Sequence, residues 1–248
     1  MRDVDTGPGS PLRRTARREW GPLLVPVWDE LKRGKWRAIP MTLSCVCLTL
    51  GFQIWQNAGG LAQVERIGAV YAGLSWQEAL LRTPLSLFVP APDLPVWGAL
   101  AQVLIVFGIC EIRLGRLKTL LIAYACTLAG TMYARYGAAV GPDGFLGLPA
   151  ETLTVRDTGP SAAVVSLAVF VCWRYRAWLT GALVILAMII EVIVKPNLAG
   201  KEHLAALVLA VILWAVSELW RKRREGRGRR ERRDLADQSR SGAPASTS

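Results

Sequence analysis

Two side chains in this sequence have the chemistry of a nucleophile and its base. Ser161 stands in Gly159-Pro160-Ser161-Ala162, at the head of an apolar run, and His203, the single histidine of the chain, stands at the head of another. A serine hydroxyl becomes nucleophilic when a neighbour accepts its proton, and neutral imidazole suits that task near pH 7. The free amides of a helix N-terminus can stabilise an oxyanion, and a glycine just before it lets another backbone come close. Each residue also has a purely structural reading. Serine in the first turn of a helix is commonly a cap or a packing residue, and a lone histidine at a membrane boundary is commonly an interfacial polar group. The hexapeptide Asp157–Ala162, "DTGPSA", has a near copy at Asp5–Ser10, "DTGPGS", so by itself it is no signature. Whether the two side chains meet depends on the elements that carry them.

Those elements read as membrane spans. The chain has 248 residues, of which 52% are hydrophobic, and its charge is concentrated at the two ends and in short clusters. Six apolar runs stand out: Ala38 to Trp55, then about 95–112, 118–136, 160–174, 177–194 and 202–220. Several are near the lower length limit of a spanning helix, and the fourth is shorter still. The first begins too far into the chain for an ordinary signal peptide and reads as a retained span. Lys and Arg gather in alternate connections: Arg13 to Arg37, then Arg113, Arg116 and Lys118, then Arg174 and Arg176, then the C-terminal tail. The first two loops on the other side hold three basic residues against six acidic ones (Glu65, Arg66, Glu78, Arg82 and Asp93; Asp143, Glu151, Arg156 and Asp157). This positive-inside pattern predicts both termini in the cytoplasm of a multi-pass plasma-membrane protein. Ser161 then opens the fourth span and His203 the sixth, both from the outer side, at nearly the same depth.

The net charge of +11 comes from 30 basic against 19 acidic residues. The stretch Arg221–Arg233 alone carries nine basic and two acidic side chains. Directly after an apolar helix, such a run reads as an anchor on anionic lipid rather than a nucleic-acid site. All five cysteines lie inside apolar runs and read as small core residues, with neither zinc spacing nor a disulfide framework. One histidine excludes a histidine-rich metal site, and no cofactor is expected. Trp20–Arg37 reads as an interfacial helix, and residues 1–19 as disordered. The loop 56–94 mixes apolar and polar residues at helical spacing and reads as a structured element in the interface. Glu111 and Glu191 are the acidic residues best placed within or at the ends of spans, and neither belongs to an obvious polar pathway.

Leu100–Gly130 resembles the rhomboid family of intramembrane serine proteases, which joins its second and third spans through a Gly, Glu, Gly and basic pattern. Gly108, Glu111, Gly115 and Lys118 stand near those places, with a shorter first spacing. The family's Gly-x-Ser-(Gly/Ala) matches Gly159-Pro160-Ser161-Ala162, and its His-x-x-(Gly/Ala)-x-x-x-(Gly/Ala) matches His203, Ala206 and Ala210. The resemblance covers about residues 38–220 and leaves out both tails. It implies an all-α, polytopic membrane protein with a six-transmembrane-helix rhomboid-like bundle, a Ser161 nucleophile and a His203 base. The departures are specific. The family's His-x-x-x-Asn falls on Pro95 and Ala99, Gln102 is the nearest replacement donor, and the Trp-Arg of the first loop appears only as Leu81-Arg82.

The expected organisation is a basic cytoplasmic segment (1–37), a rhomboid-like membrane domain (38–220) and a basic, disordered cytoplasmic tail (221–248). Two functions remain open. One is cleavage of transmembrane substrates near the outer face by the Ser161–His203 dyad. The other is an inactive rhomboid fold that binds transmembrane helices as clients and controls their stability or traffic. Anionic membrane lipid is the other expected partner.

Overall fold

The computed structural model describes residues 11–91 and 95–241. The Asp5–Ser10 hexapeptide, Asp93 and the last seven residues of the tail lie outside the described residues. The chain forms two compact units, Met1–Val211 and Ile212–Ser248.

In the first unit, α1 (Pro11–Gly34) and α2 (Pro40–Trp55) form a pair bent by 58°. Pro40 takes the first helical position of α2, where its missing N–H costs nothing. A π-turn at Gln56–Gly60 leads into α3 (Leu61–Gly68), β1 (Val70–Tyr71) and α4 (Trp76–Ser86), which starts on a Ser75–Glu78 capping box. The chain returns through α5 (Val96–Gln102), a π-turn and α6 (Gly108–Leu114), then α7 (Arg116–Val140). β2 (Arg156–Asp157) precedes α8 (Ser161–Arg174), α9 (Trp178–Val194) and α10 (Leu198–Ser241), whose later part makes up the second unit.

Among the described residues, three helical stretches are long and apolar enough to cross a membrane: Val96–Leu114, Arg116–Val140 and Leu198–Arg229. The bent pair Arg14–Ala38 and Pro40–Gly68 makes a fourth if it counts as one span. This is a mostly helical protein suited to a membrane. The expected fourth and fifth spans are α8 and α9, only 14 and 17 residues long, short of the roughly 20 that a bilayer asks of a free-standing helix.

Burial explains how a helix as short as α8 holds its place. Ala163, Val164, Ser166, Leu167, Val169, Phe170, Val171 and Cys172 are all buried, so α8 is enclosed on nearly every side. α9 is the reverse: Gly181 is its one buried residue, where a Cβ would meet the Trp173 ring at 2.3 Å. α7 lays a stripe of small residues (Thr119, Ala123, Cys126, Thr127, Gly130, Thr131, Ala134, Gly137) into the interior. That spacing of three and four brings helices close without bulky side chains.

α1 is docked rather than loose. Trp20 Nε1 donates to Thr180 Oγ1 at 2.9 Å, and Glu19 accepts from the Thr180 amide at 2.8 Å, capping the first turn of α9. Arg113 donates to the Pro22 carbonyl at 3.0 Å. The interfacial helix is therefore longer than the sequence suggested and starts at Pro11, inside the segment expected to be disordered. The tail departs from expectation in the same direction, being helical through Ser241. Arg, Lys and Glu are good helix formers, and Arg221 pairs with both Glu218 and Glu225 one turn away. Four of the cysteines are buried as expected, while Cys47 is exposed on α2.

Candidate functional site

Ser161 is brought to its position by the two loops that precede α8. β1 and β2 pair antiparallel, Val70 with Asp157 and Tyr71 with Arg156, and Gly73 donates to the Leu153 carbonyl at 3.2 Å. Arg156 extends the tie with an ion pair to Glu65 at 3.2 Å. Gly159 then donates to the Ser86 carbonyl at 3.0 Å and turns with φ of +117°, a region that strains any residue with a side chain. The glycine of the Gly-x-Ser motif is thus explained by the turn into α8. Ser161 is the first residue of that helix. The amides of its first turn have no partner within the helix and point toward the same end.

His203 lies in the second turn of α10 and is 9% exposed. Its Nε2 is 2.9 Å from Ser161 Oγ, a hydrogen bond between residues 42 apart. That is the reach a serine–base pair requires. For Ser161 to donate to Nε2, the ring proton must sit on Nδ1, and among the described residues no group bonds to Nδ1. The arrangement is a dyad, with no third residue holding the ring. Ala206 and Ala210 are fully buried on α10 after His203.

The other expected positions divide. Glu111 is buried and accepts from the Met41 amide at 3.1 Å, the Thr42 amide at 2.7 Å and Thr42 Oγ1 at 2.8 Å, so it caps α2. Its ion-pair partner is Arg116, at 3.1 Å, while Lys118 is exposed. Gly115 makes the turn between α6 and α7 with φ of +86°. Gln102 is exposed at the end of α5, and Ala99 and Pro95 bring no hydrogen-bonding side chain. Leu81 is 79% exposed, while Arg82 turns back to the Ala69 carbonyl at 3.4 Å. Among the described residues, no cluster of His, Cys, Asp and Glu is arranged to hold a metal.

Sequence reasoning passed over a second polar group beside the dyad. Glu202, next to His203, is 4% exposed, and its carboxyl is hydrogen-bonded to that of Asp157. Thr131 Oγ1 donates to Asp157 Oδ2 at 3.0 Å. The signal was an acidic residue in the first turns of an apolar helix, adjoining the lone histidine. Glu191, singled out instead, is only half-buried.

Comparison with known proteins adds no name to this geometry: no family model, no curated protein and no solved structure matches the chain.

Proposed function

We propose that the protein is a rhomboid-like intramembrane serine endopeptidase, with Ser161 as nucleophile and His203 as general base. The observation that carries this reading is the 2.9 Å contact between Ser161 Oγ and His203 Nε2. His203 takes the hydroxyl proton as Oγ attacks a carbonyl of a transmembrane substrate, then returns it to the leaving amine. The first-turn amides of α8 face the oxyanion in place of the family's His-x-x-x-Asn. Losing such a donor typically costs about 10²–10³ in rate, which slows an enzyme without abolishing it.

Counting α2, α5–α6, α7, α8, α9 and α10 as spans makes six. The length of α8 then matters little, because protein rather than lipid surrounds it. The charge asymmetry puts both termini in the cytoplasm of the plasma membrane and the dyad near the outer face. The basic segments meet anionic lipid of the inner leaflet.

A second reading draws on the unpartnered Nδ1 and the missing His-x-x-x-Asn. In it the fold binds transmembrane helices without cutting them, and the Ser161–His203 bond is structural. Paired variants separate the two. As a nucleophile, Ser161→Ala abolishes fluorophosphonate labelling and substrate cleavage with little change in melting temperature, and His203→Ala does the same. As a structural pair, both substitutions lower the melting temperature and the wild type forms no adduct.

A further inference from the structure

Half-buried Asp157 and buried Glu202 bring their carboxyls into hydrogen-bonding contact, with Thr131 Oγ1 on the first and the adjoining Gly130 packed against the second. Two carboxylate oxygens cannot bond to each other without a proton between them, so the pair holds one. Which residue carries it follows from the other partners. Asp157 already accepts from Thr131 Oγ1, which favours its anion. Glu202 receives no such donor, and its Oε1 has no protein partner. Glu202 is therefore the acid that donates and Asp157 the carboxylate that accepts.

The surroundings leave this proton as the main tie. Two cations stand beside the pair in sequence: Arg156 bonds to Glu65 and Thr158, with its Nη2 unpartnered among the described residues, and half-buried Lys201 precedes Glu202. From α7 the pair is faced by Thr131 and Tyr133. On α10 the flanking titratable groups are Lys201 and His203, and from α9 Glu191 acts on His203. α8 contributes Ser161, through His203. α7 comes so close that a Cβ on Gly130 would lie 3.1 Å from the Glu202 carbonyl oxygen.

We propose that Asp157 and Glu202 form a one-proton latch that positions His203 against Ser161 by fastening the start of α10 to the segment leading into α8. Asp157 lies four residues before Ser161, and Glu202 is the immediate neighbour of His203. The latch joins the two backbones that carry the dyad and does not touch the imidazole, whose Nδ1 is unpartnered. These are positioning residues, and their role in activity rests on the hydrolase reading above.

The latch makes the site sensitive to pH. Burial pushes the Asp157 carboxyl above its ordinary range. The folded chain therefore holds more protons than the unfolded chain as pH climbs from that range. Stability from the pair is complete at low pH and is lost as pH rises through the pair's titration, when two anions are left in contact.

The test measures melting temperature and fluorophosphonate labelling rate of the full chain in detergent from about pH 5 to about pH 10, for wild type, Ser161→Ala, Glu202→Gln and Glu202→Ala. Glutamine keeps a donor toward Asp157 and removes the titrating proton. The melting temperature of wild type and Ser161→Ala should fall toward alkaline pH, and wild-type labelling should fall along the same limb. Glu202→Gln should flatten both while keeping neutral-pH labelling within about threefold, and Glu202→Ala should lose about tenfold or more from misplacement of the base. A Glu202→Gln protein that follows the wild-type curves in both readouts overturns the latch. This comparison stands even where Glu202→Ala does not fold. Should the wild type fail to label at any pH while Glu202→Gln still flattens the melting curve, the hydrolase reading falls and the latch stands.

Discussion

Two buried carboxylate centres touch α7, one at Arg116 and one at Thr131, about 22 Å apart along the helix. Glu111, at the first, accepts from two backbone amides, one hydroxyl and one guanidinium. Every part of that carboxylate is answered, and it ties α2, α6 and α7 together. At the second, Asp157 is joined to Glu202 and Ser161 to His203 as two separate contacts, and among the described residues Glu202 Oε1 and His203 Nδ1 have no hydrogen-bond partner. Buried polar atoms without partners are costly, and folded proteins keep few of them. The first centre has the economy of a structural joint. The second keeps open polar atoms beside Ser161, as the proposed hydrolase reading requires.

Removing groups from each centre sharpens this contrast. Glu111→Ala should cost about 3–5 kcal/mol, because the amides of α2 and the Arg116 guanidinium lose their partner together. Thermal melting should show a large drop or no folded protein. Gly159→Ala comes next, costing about 1–3 kcal/mol from the forced positive φ. It should also suppress labelling, since the strain falls two residues before Ser161. Ser161→Ala should move stability by no more than about 1 kcal/mol, the net worth of one hydrogen bond, while erasing labelling. A Ser161→Ala protein destabilised as much as Glu111→Ala would erase the distinction between the two centres. The smallest effect is expected in the second unit. Deleting residues 225–248 should leave membrane insertion and melting unchanged. The isolated tail peptide should bind anionic vesicles with an affinity that falls steeply with salt.

The dyad was legible in the sequence because polar residues are rare in apolar helices, so Ser161 and His203 stood out and helix counting placed them at one depth. Their 2.9 Å contact follows that expectation. The Asp157–Glu202 contact was not legible, because it joins a loop to a helix through tertiary pairing that no periodicity encodes. The ion pair of Glu111 with Arg116 was not legible for a local reason. The positive-φ turn at Gly115 starts α7 at Arg116, which brings that side chain onto Glu111. The short α8 hid its importance in the same way. Apolar length reports on spans that face lipid, while α8 is enclosed by protein. The tail, expected to be disordered, starts as a helix in which Arg221 pairs with Glu218 and Glu225.

The account turns on whether Ser161 is a nucleophile, and a covalent adduct reports that directly. Purified full-length wild type, incubated with a fluorophosphonate at neutral pH and analysed by intact mass and peptide mapping, should gain one phosphonyl group on the peptide that contains Ser161. The gain should be absent from Ser161→Ala and from His203→Ala. A folded wild-type protein that gains no mass, or that gains it on a peptide without Ser161, would contradict the account.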